Sequence, residues 1–277
     1  MSESTSTIQF KTIHPEYKIV GFDGTSRVYS GNPSLSQIPK ILRHAIVPHE
    51  GKHFLYADLK AAEVYVLIKW AKCQSLIDAY ESGQDLYTVI AQRVLNKETI
   101  NKEERDTMKV VVLSILYGSD GSSVSRSLHI TEEEAKGLVD KFMFTFPEIA
   151  TFQAKAYSYT VDHGFIESFY FRPRILKEEQ SNGDAARKRQ CVNSAIQNSM
   201  SDVLKLCIGK SLNIGMKERG IKFVTTVFDS VLFEVPEDFT KEDAKEFLDL
   251  FFKPSYPFKF NFDYALGKTW GEAQDNL

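Results

Sequence analysis

Two aspartates stand where a chain can hold a carboxylate rigidly beside solvent. Asp58 closes the β-like run His53-Phe54-Leu55-Tyr56-Ala57, and Asp229 follows the run from Phe223 to Phe228 and precedes the run from Val231 to Val235. Carboxylates at a strand end and a hairpin tip converge if the strands share one sheet, and such a pair is what two divalent ions about 4 Å apart require. Aspartate is also a common turn and cap residue, so neither position is diagnostic alone. A second group is cationic. Arg105, Lys109 and Leu113 lie at four-residue intervals, nearly one stripe of a helix, continued by Tyr117 and Gly118. A triphosphate along that stripe would meet a guanidinium able to bind phosphate oxygens bidentately, then an ammonium, then an apolar surface. The alternative is a solvated face on which the two cations pair with Glu103, Glu104 or Asp106. Arg189, Asn193 and Gln197 repeat the four-residue spacing; amides there could meet minor-groove acceptors, and Arg189 a phosphate, though a polar stripe on a surface helix is ordinary.

The elements that must position these groups are marked by period and by caps. After the strand ending at Asp58, Ala61 to about Lys72 reads as helix, as do Asp85 to about Leu95, Asn101 to about Tyr117 and Glu132 to about Phe144. Asn101 with Glu104, and Thr131 with Glu134, have capping-box spacing. Pro147 follows the last of these helices, and a further helix runs from Asp184 to about Arg219 with Gly220 just past its end. The hairpin is expected to turn at Asp229-Ser230, Thr240 to cap a helix through Leu250, and the last residues to be aromatic and irregular. The fold class implied is α+β, a small antiparallel sheet with helices packed on one side and a helical insertion in the middle.

The totals narrow the partners. A 277-residue chain, 43% apolar, can bury a substantial core as one large or two intimate domains. The net charge of -3 gives no hint of nucleic acid, but Arg172 to Lys222 holds eleven Lys and Arg against five Asp and Glu, while Glu234 to Leu277 holds five against ten. One region could face phosphate and the other would repel it, although a solvated basic helix beside an acidic tail gives the same counts. Cys73, Cys191 and Cys207 are too widely spaced to be metal ligands and fit reduced thiols in an intracellular, cytoplasmic protein. No membrane span, no signal peptide and no glycine-rich phosphate loop is visible, the last leaving a kinase or phosphatase reading resting on the aspartates alone.

Taken in order, the segments resemble the signature motifs of family A DNA polymerases, the bacterial DNA polymerase I group. Ala57-Asp58-Leu59-Lys60-Ala61-Ala62-Glu63 resembles motif A, Arg105-x3-Lys109-x3-Leu113-x3-Tyr117-Gly118 motif B, and Val227-Phe228-Asp229-Ser230 with the following apolar run motif C. Arg27 with Asn32 to Pro39, the segment Gly164 to Ser168 with Arg172-Pro173-Arg174, and the set Arg189, Asn193, Gln197 and Asp202 extend the resemblance from about Arg27 to Trp270. It implies an antiparallel palm sheet with packed helices (1–74 and 186–277) and a helical fingers subdomain (75–185). It further implies that two Mg²⁺ ions are held by Asp58, Asp229 and the backbone carbonyl of Leu59. Arg105 and Lys109 would bind a deoxynucleoside triphosphate, with Lys109 donating a proton to the departing pyrophosphate. Glu63 would close off the sugar 2′ position, and Leu113 and Tyr87 would complete the nucleotide site. Tyr117 and Gly118 would lie near the templating base, while Arg27, Gln37, Arg189, Asn193 and Gln197 would hold primer-template DNA.

This chain departs from the family pattern at named places. Leu59-Lys60 stand for Tyr-Ser, Leu113 for an aromatic, Tyr87 for a histidine, and Phe228 and Ser230 for His and Glu, so a third carboxylate is missing from motif C. Only 26 residues precede Arg27, which leaves no room for a thumb or exonuclease domain and leads to the expectation of a second protein supplying them, as in a split or minimal phage-type enzyme. A non-catalytic, DNA-binding replisome subunit on the same fold is the alternative, against which stand both aspartates, Arg105 and Lys109.

Overall fold

The structure, a computed structural model, describes residues 12–19, 27–118, 121–176 and 183–277. Strands β1 (Glu16–Lys18) and β2 (Tyr29–Gly31) pair antiparallel and lead into a one-turn helix α1 (Lys40–Arg43) and strand β3 (Lys52–Leu59). Seven helices follow: α2 (Ala62–Trp70), α3 (Gln74–Glu81), α4 (Leu86–Leu95), α5 (Lys102–Leu116), α6 (Ser122–Leu128), α7 (Glu132–Thr145) and α8 (Pro147–His163). A short hairpin, β4 (Phe165–Glu167) and β5 (Pro173–Ile175), precedes the 28-residue helix α9 (Asp184–Ser211). Strands β6 (Lys222–Val227) and β7 (Ser230–Pro236), helix α10 (Lys241–Phe252), strand β8 (Phe262–Gly267) and helix α11 (Trp270–Asp275) complete the chain.

The central sheet has the order β6-β7-β3-β8, with every neighbouring pair antiparallel. Alternation along β3 splits it between two cores: Leu55, Ala57 and Leu59 face the large cluster built with α2, α5, α9 and α10, whereas Phe54 and Tyr56 join Leu35, Leu232 and Trp270 on the other face. Each such Leu or Phe stabilises by about 1.5–3 kcal/mol when fully buried, so β3 is pinned from both faces and its register cannot slip. Both capping boxes form as the spacing predicts, Asn101 with Glu104 on α5 and Thr131 with Glu134 on α7, and a third joins Thr240 to Asp243 on α10. The three cysteines are buried and unpaired. Among the described residues no helix is long and apolar enough to cross a membrane.

Three expectations are corrected and a fourth, on Pro147, is extended. The hairpin turn is Phe228-Asp229, one residue earlier than Asp229-Ser230, because Ser230 pairs with Val227 and already belongs to β7. Helix α9 ends at Ser211, well before Arg219, as Gly215 enters the left-handed region at φ +70. Pro147 does not merely follow a helix but opens α8, where its fixed φ and missing N–H suit the first position. The C-terminal residues are not irregular: Phe262 to Gly267 form β8, which pairs with the free edge of β3, and Trp270 is almost wholly buried on α11.

Candidate active site

Asp58 is the penultimate residue of β3, flanked across the sheet by Ser230 on β7 and by Asp263 on β8. Directly opposed residues share a sheet face, so this row lies on the face that also carries Tyr56. Asp229 occupies the second position of the β6–β7 turn. Ser230, fully buried, closes that turn by donating its hydroxyl to the carbonyl of Val227 at 2.7 Å, and it accepts a hydrogen bond from the Tyr56 hydroxyl at 2.8 Å. Phe228 is held at φ +59, a conformation rare for an aromatic residue, with its ring turned outward beneath the Arg27 guanidinium, 5.4 Å from the ring centre. The chain leaves β3 along a fixed path: Lys60 donates its N–H to Asn261 at 2.8 Å and accepts the Tyr80 hydroxyl at 2.7 Å, and Ala61 at φ +44 starts the helix that presents Glu63.

The two aspartates form one electrostatic unit. Burial, then the negative charge of Asp58, pushes the Asp229 carboxyl up to about 6, against the pull of its own backbone N–H and of Arg27. Asp58 is also raised, first by burial and then by Asp263, with Lys40 opposing. The site therefore carries more negative charge than its protein surroundings neutralise. Among the described residues no three His, Cys, Asp or Glu side chains cluster as a self-sufficient metal site. Two carboxylates and a main-chain carbonyl do fit Mg²⁺, which commonly takes only one or two protein carboxylates and completes its shell with water and substrate phosphate. Asp263, which sequence reading passed over, is paired with Lys60 at 2.7 Å.

Glu63 is the meeting point of three segments. Arg27 donates to one of its oxygens at 2.8 Å and the Tyr117 hydroxyl to the other at 3.1 Å, with Gln197 near the same phenol. Arg27, Tyr29, Glu63, Met200, Phe228 and Asp229 are among the residues lining a cavity of about 370 Å³. Gly118, at φ +71, lies against α9 so closely that a Cβ there would fall 2.5 Å from the Cα of Arg189. Helix α5 thus docks onto α9 through the Tyr117-Gly118 step, and the motif B and Arg189 stripes meet.

Arg105 and Lys109 share one platform, the ring of Tyr87 on α4, at 5.6 and 5.7 Å from its centre. Tyr87 is buried, and burial pushes its phenol up to about 12. The ion pairing of Arg105 differs in part from the local one anticipated: Asp106 is 3.3 Å from its Nη1, but its principal partner is Asp85, twenty positions upstream. Leu113 is half-buried against the main core, and Leu59 is almost completely buried. On α9, Arg189 is exposed, Asn193 is half-buried with its Oδ1 unpartnered, and Gln197 is buried. Gln37 is the exposed last residue of a 3-10 turn that packs against β6. All fifteen candidate residues lie in described segments; the contacts above join Arg27, Glu63 and Tyr117 in one group and Arg105, Lys109 and Tyr87 in another.

DNA polymerase I of Borreliella burgdorferi strain B31 is 29% identical over 284 residues, covering 97% of this chain and 30% of the relative. DNA polymerase I of Chloroflexus aurantiacus is 27% identical over 250 residues, covering 86% and 26%. The chain thus spans under a third of the length of these relatives. In fold it is similar to the POL domain of Pol1 from M. smegmatis, solved with DNA primer-template and dNTP, at a TM-score of 0.84 and 22% identity over 94% of this chain and 48% of that one. The model of DNA polymerase family A matches residues 3–272, and the chain belongs to that family.

Proposed function

We propose that the chain is the catalytic unit of a DNA-directed DNA polymerase, adding deoxynucleotides to a primer 3′ end on a DNA template by phosphoryl transfer. The observation that carries this reading is the pairing of Asp58 and Asp229 at one sheet end, two carboxylates 171 positions apart, with Asp229 raised first by burial and then by the charge of Asp58. In this reading Asp58, Asp229 and the Leu59 carbonyl hold two Mg²⁺ ions. Magnesium bound there supplies a lowered pKa for the primer 3′-hydroxyl and neutralises charge on the triphosphate.

The remaining roles fall to side chains already in contact. Arg105 and Lys109 bind the triphosphate, and Lys109, whose ammonium has no hydrogen-bond partner among the described residues, gives a proton to the pyrophosphate leaving group. Tyr87 acts from beneath as their platform. Glu63, fixed by Arg27 and Tyr117, closes the sugar 2′ side, and Leu113 borders the sugar. Primer-template DNA lies over Arg27, Gln37, Tyr117, Gly118, Arg189, Asn193 and Gln197. Residues 1–74 and 186–277 act as palm and 75–185 as fingers, with a second protein supplying a thumb. The test is primer extension with Mg²⁺ by the chain and by Asp229→Ala: extension abolished by the substitution supports catalysis, and absence of extension by the wild type returns the chain to the DNA-binding subunit reading.

A further inference from the structure

Helix α4 meets the cationic stripe of α5 in a way that the roles above do not use. Asp85, the N-cap of α4, accepts the Thr88 N–H at 2.8 Å and the Thr88 hydroxyl at 2.7 Å on Oδ1. The same carboxylate binds Arg105 across both oxygens, Nε to Oδ1 at 2.8 Å and Nη2 to Oδ2 at 2.7 Å. This two-point geometry fixes the plane of a guanidinium as well as its position. Two residues along the same helix turn, the Tyr87 ring supports Arg105 and Lys109 from one side. Arg105 is therefore fastened along its Nε edge by two short bonds and backed by a ring, with only a longer 3.3 Å contact from Nη1 to the neighbouring Asp106 on its other edge, while Lys109 is backed by the ring alone.

A cation on the second turn of a helix lies against the macrodipole, and without an anion beside it a flexible arginine would sample many rotamers. Asp85 removes that freedom before any nucleotide arrives. Its pairing also survives mild acid: although burial pushes the carboxyl up, hydrogen bonds from Arg105 and Thr88 bring it down to about 2.

We propose that Asp85 is a positioning residue for the triphosphate site, fastening the Nε edge of Arg105 so that its opposite edge is presented to phosphate in register with Lys109. The inference rests on the nucleotide-binding reading of Arg105 and Lys109 given above. It separates Asp85 from a competitor of the substrate: a competitor's removal tightens nucleotide binding, and a positioning group's removal weakens it.

The decisive variant is Asp85→Asn. Asparagine is as good an N-cap as aspartate, so α4 keeps its start, but a neutral amide cannot accept both guanidinium hydrogens. Binding of dATP with Mg²⁺ to the full chain is measured by calorimetry for wild type, Asp85→Asn, Arg105→Lys and the double variant, with melting temperatures alongside. Each single variant is expected to weaken binding about tenfold at an unchanged melting temperature, with the double variant no worse than either. In primer extension the loss appears in KM for the nucleotide more than in kcat. Equal or tighter binding by Asp85→Asn, or losses that multiply in the double variant, overturn the proposal, as does a wild type that does not bind dATP. A wild type that binds dATP but does not extend a primer counts against the polymerase reading alone.

Discussion

Replacing Asp229 by asparagine should stabilise the metal-free fold, and the gain should depend on pH. In the folded chain this carboxyl is raised from 3.8 to about 6, by burial first and by Asp58 next. Between those values the native state binds more protons than the unfolded state, so wild-type stability falls as pH rises through that window and stays lower above it. A shift of about two units corresponds to about 3 kcal/mol as an upper bound, and the partial exposure of the side chain reduces this to about 1–2 kcal/mol. For a chain of this size that is roughly 2–6 °C in Tm. Thermal unfolding in chelator, scanned from about pH 4 to about pH 8, should therefore show Asp229→Asn melting with the wild type at the acid end and above it at the alkaline end. Adding Mg²⁺ at the alkaline end should raise the wild type and leave the variant nearly unmoved. A difference that is constant across the pH range, or of opposite sign, would refute the claim that an uncompensated negative charge sits at this turn.

Three further outcomes follow from contacts in the same region. Gly118→Ala should destabilise by about 2–4 kcal/mol in urea unfolding, because the new Cβ meets the α9 backbone and the left-handed conformation disfavours it. Tyr56→Phe should cost about 1 kcal/mol, and in a double-mutant cycle with Ser230→Ala the two losses should fall short of additive by about that amount, since both remove one buried hydrogen bond. Leu113→Tyr should change the ratio of dideoxy- to deoxynucleotide incorporation several-fold in competition assays, and an unchanged ratio would remove Leu113 from the sugar-binding surface.

What could be read from the sequence was local. The run ending at Asp58, the two capping boxes and the apolar flanks of Asp229 each carry their signal within about eight residues, the reach of strand alternation and helix caps. The alternation Phe260, Phe262, Tyr264, Leu266 was present too, but an aromatic strand acquires meaning only once β3 is known to have a vacant edge, which is a tertiary fact. Pro147 was ambiguous because proline both follows helices and starts them. The turn was misplaced by one residue because nothing in the dipeptide Phe228-Asp229 advertises a left-handed aromatic; the Ser230 hydroxyl that closes the turn is seen only in three dimensions. The partner of Arg105 was hidden for the same reason, since Asp85 lies on a different helix and already has a local role as a cap.

Three of the departures from the family pattern share a direction. Phe228 lies beneath Arg27, Ser230 bonds Tyr56, and Tyr87 underlies Arg105 and Lys109, so each exchange puts an uncharged contact where the pattern has an ionisable group. The remaining carboxylates are then distributed unequally. Asp263 is neutralised by Lys60, Asp85 by Arg105 and Glu63 in part by Arg27, whereas Asp229 has no ion-pair partner among the described residues and sets only its own backbone N–H and the charge of Arg27 against burial and Asp58. A cation entering this surface therefore gains most at Asp58 and Asp229, because neutralising them relieves a penalty that the other carboxylates have already shed. The loss of the third motif C carboxylate thus does not disperse the negative charge: Ser230 instead closes the turn that holds Asp229 beside Asp58, and the uncompensated charge remains concentrated on the two aspartates.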